Sequence, residues 1–246
     1  MRALFIQQDH LSPPGPVGDR FRHHGYEVVE FAVVPADSFD QPNISVDFPD
    51  PLDFDVIVPM GAPWAVYDDA VIGAWIGAEI ALLKRAHDAG VPVLGICFGG
   101  QALAAALGGE VTRAPEQEVG WYTIDSDDPD LISAGPWFLW HGDQFTSPPG
   151  AREFASTPVG PQAFTIGRSL GVQFHPEITP DQLSSWIDNG GASYLRAVGI
   201  DIEEFVATAR GHADAAALRT HALVDAFLAR VVTATPPAPG DALSST

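Results

Sequence analysis

The chain has one cysteine, and the residues around it suit a nucleophile. Cys97 follows the apolar run of residues 91–96 and precedes the alanine- and leucine-rich run of residues 101–107. The small residues Gly95 and Gly99 allow a sharp turn between a strand and a helix, and such a turn exposes the side chain at its tip. A thiol at the start of a helix also meets the positive end of the helix dipole, which favours the reactive thiolate. A lone cysteine is more often a core residue, but the flanking glycines favour catalysis here.

A cysteine nucleophile needs a base that also protonates the leaving group, and a third group that orients the base. The short segment His175-Pro176-Glu177 offers both, because it follows a predicted strand and places a carboxylate two residues after the imidazole. The other histidines of the chain have no comparable context. We therefore predict that Cys97, His175 and Glu177 form a catalytic triad.

Acyl transfer from an amide also requires hydrogen-bond donors for the oxygen of the tetrahedral intermediate. The loop at residues 61–69 follows a predicted parallel strand, so we expect it to open at the same edge of the sheet as Cys97. The predicted donors are the backbone N–H groups of Ala62 and Phe98. A plain turn between a strand and a helix is the alternative interpretation of this loop.

A metal site is the other chemistry that histidines and carboxylates support. The conceivable ligands are His10, His141 and His175 with Asp9 and Asp143, and their spacing matches no recognised ligand pattern. We therefore predict no metal and no cofactor. The sequence also contains no Gly-x-x-x-x-Gly-Lys-Ser/Thr loop, the motif that cradles nucleotide phosphates.

Short apolar runs alternate with helical periods along the chain, a pattern typical of a parallel sheet with helices on both faces. Thr179, followed by Pro180, has the residue types of a helix start. Residues 110–174 contain shorter alternating segments, which predict added antiparallel strands. The predicted fold class is therefore α/β, a mainly parallel sheet flanked by helices with a small antiparallel strand region. The predicted strands lie at residues 2–7, 26–33, 54–59, 91–96 and 171–174, and the predicted helices at 17–24, 70–87, 101–107, 179 onward, 201–210 and 213–231.

The composition indicates one globular domain. Hydrophobic residues make up 46% of the 246 residues, and no apolar run reaches the roughly 20 residues of a membrane-spanning helix. We expect a domain at residues 1–232, with the helices at 201–231 packed on it or on a partner, and a disordered tail at 233–246. The formal net charge of −20 disfavours binding to nucleic acid or anionic lipid. We expect a cytoplasmic protein without membrane contact.

Together these motifs resemble those of the class I glutamine amidotransferases, in particular the stand-alone branch that is similar to GMP synthase. The family's nucleophile motif matches at Gly95, Cys97, Gly99 and Gln101, and its histidine motif matches at His175-Pro176-Glu177. The resemblance covers roughly residues 1–190 and implies a flavodoxin-like sheet. The branch also carries counterparts of residues 8–10, 66–69, 118–122 and 140–143.

The resemblance implies a reaction and a set of substrate contacts. Glutamine would be hydrolysed to glutamate and ammonia through a γ-glutamyl thioester on Cys97. The amino-acid end of the substrate would be held by Gln101 and by the segment that contains His141, Gly142 and Asp143. These roles are implied by the resemblance alone.

Two features of the oxyanion loop depart from the family pattern. Ala62 stands where a second glycine is usual, and Trp64 and Ala65 stand where small or polar residues are common. A backbone N–H is present at position 62 in either case. The departures therefore concern the width of the pocket and the choice of substrate, and leave the chemistry intact.

The same residues leave several functions open. A glutamine amidotransferase passes ammonia to a synthetase, so a separate synthetase chain is an expected partner, and release of free ammonia is the alternative. A γ-glutamyl peptide hydrolase would use the same thioester on a γ-glutamyl compound. A regulatory module of the same fold without catalysis has no need for an intact Cys97, His175 and Glu177 set. Protease or chaperone relatives of the fold do not need the His-Pro-Glu segment.

Overall fold

The computed structural model describes residues 1–234 of the chain. Residues 235–246, which include most of the tail predicted to be disordered, lie outside the described residues. Five parallel strands form the larger part of the main sheet, and their carboxyl ends meet at one edge. These strands are β1 (Arg2–Gln7), β2 (Glu27–Ala32), β3 (Val56–Pro59), β4 (Val93–Ile96) and β10 (Ser169–Val172).

Antiparallel strands extend the main sheet beyond β10 and form a separate two-stranded sheet. The main sheet has the order β2-β1-β3-β4-β10-β9-β8-β6, in which β6 is Asp125–Ser126, β8 is Arg152–Ser156 and β9 is Pro161–Ile166. The second sheet pairs β5 (Val111–Tyr122) with β7 (Trp137–Phe145). The predicted α/β class, with a mainly parallel core and an antiparallel addition, is confirmed.

The apolar residues of the parallel strands alternate between two cores. In β1, Ala3 and Phe5 join the core on one face of the sheet, while Leu4 and Ile6 join the core on the other. Such two-sided burial is expected of a parallel strand that helices cover on both faces. The helices are α1 (Gly15–His23), α2 (Asp69–Ile72), α3 (Ile76–Asp88), α4 (Phe98–Ala106), α5 (Pro180–Trp186), α6 (Ala192–Ala197) and α7 (Ile202–Ala226).

The helix predicted at residues 70–87 is divided into α2 and α3. The break has its own hydrogen bonds, because Asn43 Oδ1 accepts from the backbone N–H of Ala74, and the indole of Trp75 donates to the carbonyl of Pro42. A distant loop therefore satisfies polar groups that a continuous helix would have paired internally. Local periodicity carries no signal of such contacts.

The two helices predicted at residues 201–210 and 213–231 are wrong in number, because α7 runs unbroken from Ile202 to Ala226. Gly211 weakens a helix interior by roughly 0.5–1 kcal/mol, but tertiary contacts hold the part of the helix that follows it. The ring of His212 lies 4.5 Å from that of Trp121, and Thr220 donates to the carbonyl of Pro176.

Within residues 1–234, no helix is both long and apolar enough to cross a membrane.

Thr179 begins α5 as predicted. Its hydroxyl accepts a hydrogen bond from the backbone N–H of Gln182 at 3.1 Å, and Pro180 occupies the first turn. The strand predicted at residues 171–174 lies two residues earlier, as β10. Residues 173–178 therefore run from the edge of the sheet to α5, and they carry the predicted base and its orienting carboxylate.

Candidate active site

Cys97 lies at a strained turn between β4 and α4. Its φ of 51° and ψ of −109° make it the only residue other than glycine with a positive φ in the described part of the chain. Such a conformation costs about 1–3 kcal/mol, and it persists only where the surroundings enforce it. A Cβ on Gly95 would lie 2.6 Å from the carbonyl oxygen of Gly99, and one on Gly99 would lie 2.0 Å from that of Pro59. Both glycines are therefore sterically required for this turn.

His175 is held in one orientation by Glu177. Its Nδ1 lies 2.8 Å from the Glu177 carboxylate, and both side chains are buried. Burial alone lowers the pKa of His175, but the charges of Cys97 and Glu177 outweigh burial and hold this pKa well above its usual value. The Nε2 atom is buried and forms no hydrogen bond within the described residues. The nitrogen that is left for chemistry is therefore Nε2.

The predicted oxyanion donors are unpaired and lie beside these two groups. Within residues 1–234, neither the N–H of Ala62 nor that of Phe98 donates a hydrogen bond to the protein. A Cβ on Gly61 would lie 3.0 Å from Cε1 of His175 and 3.8 Å from Cβ of Cys97. The first residue of the oxyanion loop therefore lies next to both side chains. Ala62 and Phe98 both line the same cavity as Cys97.

That cavity has a volume of about 630 Å³ and opens to solvent at the carboxyl edge of the parallel strands. Besides the groups above, it is lined by every residue that the resemblance assigns to substrate binding, namely Gln101, His141, Gly142 and Asp143. The charged side chains that line the cavity are Asp9, Arg113 and Asp143, and aromatic rings form much of the remaining surface. The aromatic residues are Phe39, Trp64, Trp140, Trp186 and Tyr194.

The backbone carbonyl of Asp143 joins the side chains around the predicted substrate end. It accepts hydrogen bonds from Gln101 Nε2 at 3.2 Å and from His141 Nδ1 at 3.0 Å. The other ring nitrogen of His141 lies 3.2 Å from the carboxylate of Glu118. The carboxylate of Asp143 accepts from the hydroxyl of Tyr67 at 2.8 Å. This wall of the cavity is therefore tied together by several side chains.

The set of conceivable metal ligands does not come together. Asp9 lines the cavity, but its carboxylate accepts from the backbone N–H of Leu11 at 2.6 Å, and the ring of His10 packs against Phe39. Among the residues that the structure describes, no group of three or more His, Cys, Asp or Glu side chains is placed to hold a metal ion.

Comparison with known proteins decides the family. The family model for glutamine amidotransferase class-I matches residues 18–191. The chain belongs to the class I glutamine amidotransferases. The resemblance read from its motifs is thereby confirmed.

The relatives place the family match in a wider context. Over 99 residues the chain is 46% identical to the glutamine-hydrolyzing GMP synthase of Parafrankia sp. (strain EAN1pec), and these residues cover 37% of this chain and 18% of that protein. The corresponding enzyme of Brucella melitensis biotype 1 is 39% identical over 108 residues, which cover 38% of this chain and 21% of the relative. The chain thus spans about a fifth of the length of the curated relatives that it matches.

Solved structures agree with the fold. A glutamine amidotransferase of Thermotoga maritima superposes with a TM-score of 0.78 at 24% identity, and covers 95% of this chain and 99% of its own. A glutamine amidotransferase of Methylobacillus flagellatus also gives a TM-score of 0.78, at 22% identity over 93% and 94% of the two chains. These likenesses support the arrangement of the sheet and helices.

Sequence reasoning missed Gln173 in this amidotransferase. Gln173 is fully buried, and its Nε2 lies 3.7 Å from Sγ of Cys97. A signal was present in the sequence: alternate residues of an extended segment face the same side, so Gln173 shares a side with His175. A glutamine within the otherwise apolar run of residues 170–174 therefore marks a position that faces the site.

Proposed function

We propose that this amidotransferase hydrolyses the side-chain amide of glutamine to glutamate and ammonia through a γ-glutamyl thioester on Cys97. The observation that carries the proposal is the meeting of three elements at one cavity. These are the strained turn of Cys97, the orienting Glu177 behind His175, and the unpaired N–H groups of Ala62 and Phe98.

Acylation uses each of these groups once. The thiolate of Cys97 attacks the amide carbon, and the N–H groups of Ala62 and Phe98 stabilise the oxygen that becomes negative. The protonated His175 gives its Nε2 proton to the departing nitrogen, so the carbon–nitrogen bond breaks and ammonia leaves. The raised pKa of His175 supports this step, because the imidazolium is available at neutral pH to act as the acid.

Deacylation reverses the proton transfer. A water molecule attacks the thioester carbon while His175 Nε2 takes its proton. The carbon–sulfur bond then breaks, the Cys97 thiolate is restored, and the remaining proton on His175 prepares the next cycle. Glu177 keeps Nδ1 protonated throughout, which leaves Nε2 as the nitrogen that exchanges protons.

We further propose that Gln101 and the segment 141–143 hold the amino-acid end of glutamine. Both Gln101 and Asp143 line the cavity, and their mutual bond uses the Gln101 amide nitrogen. The Gln101 Oε1 atom is therefore left as an acceptor for the substrate ammonium. The curated relatives are named as glutamine-hydrolyzing GMP synthases, which supports a synthetase as the recipient of the ammonia.

The experiment is the release of ammonia and glutamate from glutamine by the purified chain, with Cys97→Ala measured beside it. We expect cysteine-dependent release of both products in equal amounts, and at least a 10³-fold loss in the variant. Alkylation of a reactive Cys97 without any release would reject glutamine as the substrate. Equal release by the variant would reject the cysteine mechanism.

The volume of the cavity favours a second candidate function, the hydrolysis of larger γ-glutamyl compounds. Cavities of about 300–1,000 Å³ hold drug-sized ligands, and at about 630 Å³ this one exceeds the needs of a free amino acid. Phe39 packs on Trp64 of the oxyanion loop with ring centroids 5.8 Å apart, and an apolar leaving amine would fit beside these rings. A panel of γ-glutamyl amides with alkyl and aryl amines separates the candidates, because only the hydrolase would prefer them to glutamine.

A further inference from the structure

Gln173 lies between the nucleophile and Gln101. Its Nε2 is 3.7 Å from Cys97 Sγ, and its Oε1 accepts from Gln101 Nε2 at 3.2 Å. Gln173 and Gln101 are 0% and 3% exposed, so their amides depend mainly on protein groups for hydrogen bonds. A buried amide is costly unless its polar atoms are paired, and here the pairing runs toward the reactive sulfur.

Backbone contacts fix both side chains relative to the sulfur. The N–H of Cys97 donates to the carbonyl of Val172, the residue before Gln173, at 2.9 Å. The N–H of Gln173 donates to the carbonyl of Gln162 at 2.9 Å, and the N–H of Gln101 donates to the carbonyl of Cys97 at 2.9 Å. Gln101 thus lies in the first turn of α4, and Gln173 lies directly after the end of β10.

The orientation of both amides follows from one group that can only accept. The backbone carbonyl of Asp143 has no hydrogen to give, so Gln101 must present its nitrogen there. The same nitrogen also faces Gln173, which must therefore present its oxygen to Gln101. The Gln173 nitrogen is then left facing Cys97. Sulfur at this position receives a hydrogen-bond donor, which favours thiolate over thiol.

We infer that Gln173 donates a hydrogen bond to the Cys97 thiolate, and that Gln101 is a positioning residue that holds Gln173 in the donating orientation. This amide relay runs from the Asp143 carbonyl through Gln101 and Gln173 to Cys97 Sγ. It rests on the proposed function, in which Cys97 is the nucleophile. It gives Gln101 a role in preparing the sulfur in addition to any contact with substrate.

The test is the rate at which iodoacetamide alkylates Cys97, followed from pH 5 to pH 10 in the full chain. Iodoacetamide lacks an amino-acid end, so its rate reports the sulfur and not the grip on substrate. We expect Gln173→Met to slow alkylation at pH 7 by roughly 10-fold, because a hydrogen bond to a charged group is lost. The pH of half-maximal rate should rise in this variant. Gln101→Met should change both quantities in the same direction and by less.

Gln182→Met is the matched control. Gln182 is a buried glutamine of α5 whose side-chain amide has no hydrogen-bond partner within residues 1–234. Its replacement should leave the alkylation profile within about twofold of the parent. The other ionisable groups near the sulfur are His175, with Glu177 behind it, and the cavity residues Asp9, Arg113, His141 and Asp143. All of them are the same in the parent and the variants, so their effect on the profile cancels.

Three outcomes would overturn the inference. One is a folded Gln173→Met variant, judged by circular dichroism and thermal unfolding, that alkylates with the parent profile. Another is Gln101→Met that raises KM for glutamine and leaves alkylation unchanged, which would make Gln101 a substrate contact only. If Gln173→Met does not fold, Gln173→Leu also removes the donor, and parent-like alkylation in it would be equally decisive.

The inference and the proposed function fail separately. A parent chain that is alkylated rapidly and releases no ammonia from glutamine defeats the proposed function, while the comparison of alkylation profiles still decides the relay. A parent chain that hydrolyses glutamine and whose Gln173 variants keep the parent profile defeats the relay and leaves the proposed function standing.

Discussion

Two buried histidine–glutamate pairs border the cavity, and they differ in which groups face the imidazole. His175 is bonded to Glu177 through Nδ1 at 2.8 Å, and its Nε2 has no hydrogen-bond partner among the described residues. His141 has the Asp143 carbonyl 3.0 Å from Nδ1, and its Nε2 lies 3.2 Å from the Glu118 carboxylate without forming a hydrogen bond among the described residues. Residue type and burial are the same in both pairs. The predicted base is therefore distinguished by the charge beside its ring, because His175 lies next to Cys97, whereas Nε2 of His141 faces a carboxylate.

The two pairs also arise in different ways. Glu177 follows His175 by two residues, so the pair is built by a short segment at the edge of the main sheet. Glu118 and His141 stand opposite each other in the antiparallel register of β5 and β7, and Gln162 donates to the same glutamate at 2.9 Å. Under the proposed function the first arrangement prepares His175 for proton transfer, and the second ties β5 and β7 together behind the predicted substrate site.

The largest effect should separate the two histidines. His175→Gln should lower kcat for glutamine hydrolysis by about 10³–10⁴-fold, because the proton donor and acceptor is lost. His141→Gln should lower kcat by less than about tenfold and act mainly on KM and stability, because a buried tie is weakened. Steady-state ammonia release with both variants checks this prediction. Equal losses of kcat would break the distinction between the pairs.

The carboxylates should repeat the contrast on a smaller scale. Glu177→Gln should lower kcat by about 10²-fold, because His175 loses the group that fixes its tautomer and stabilises its charge. Glu118→Gln is the matched control with the same change of atoms, and kcat should stay within about threefold of the parent. The measurement is kcat at saturating glutamine. A large loss of kcat in the Glu118 variant would show that the second pair also takes part in proton transfer.

The local pair was within reach of sequence reasoning, and the distant pair was not. Cys97 and the His-Pro-Glu segment stand out because their neighbours in the chain, Gly95, Gly99 and Pro176, mark their geometry. Glu118 and His141 meet only through the register of two strands that are broken by a bulge between Arg113 and Glu118. Such a register is set by tertiary packing, which local pattern does not encode.

The fold also has features that the local sequence predicts and features that depend on distant contacts. The inner parallel strands were predicted because they are short apolar runs between turn residues, and two-sided burial demands such runs. The break between α2 and α3 depends on Asn43 and Pro42, which lie about 30 residues earlier in the chain. The continuity of α7 depends on contacts with Trp121 and Pro176. These features follow from contacts between distant segments.

The pH profile sharpens the comparison further. Burial lowers the pKa of His175, and the charges of Cys97 and Glu177 more than compensate, so this pKa lies well above its usual value. The acid form needed for ammonia release is therefore retained at neutral pH, and kcat/KM should fall only as the pH rises through the raised pKa. In Glu177→Gln one of the two charges is lost, and the falling limb should move to lower pH. If the fall of kcat/KM stays at the same pH in this variant, the fall reports a group other than His175.

A third buried glutamate faces no histidine at all. Glu79 of α3 is fully buried, and its carboxyl group accepts from Gln8 Nε2 at 2.6 Å. The remaining oxygens, Glu79 Oε2 and Gln8 Oε1, have no partner within the described residues. Burial raises the pKa of Glu79 to about 8, and the hydrogen bond from Gln8 only partly offsets this rise. A protonated Glu79 has a hydrogen to donate, whereas an ionised Glu79 would leave a charged oxygen buried without a partner.

This carboxyl group should affect stability and leave catalysis almost unchanged. The folded chain holds a proton on Glu79 that the unfolded chain, with a pKa near 4.5, releases. The contribution of Glu79 to stability is therefore fully present below about pH 4.5 and is lost as the pH rises toward about 8, at up to ~1.4 kcal/mol per pH unit. Glu79→Gln keeps a donor for Gln8 at every pH, so the variant should be more stable than the parent at pH 8 and flatter from pH 5 to pH 8 in urea unfolding. Glu116→Gln, at an exposed position, should keep the parent slope. A parent slope in Glu79→Gln as well would mean that Glu79 is already ionised in the folded chain, and that a buried glutamate without a histidine can carry its charge.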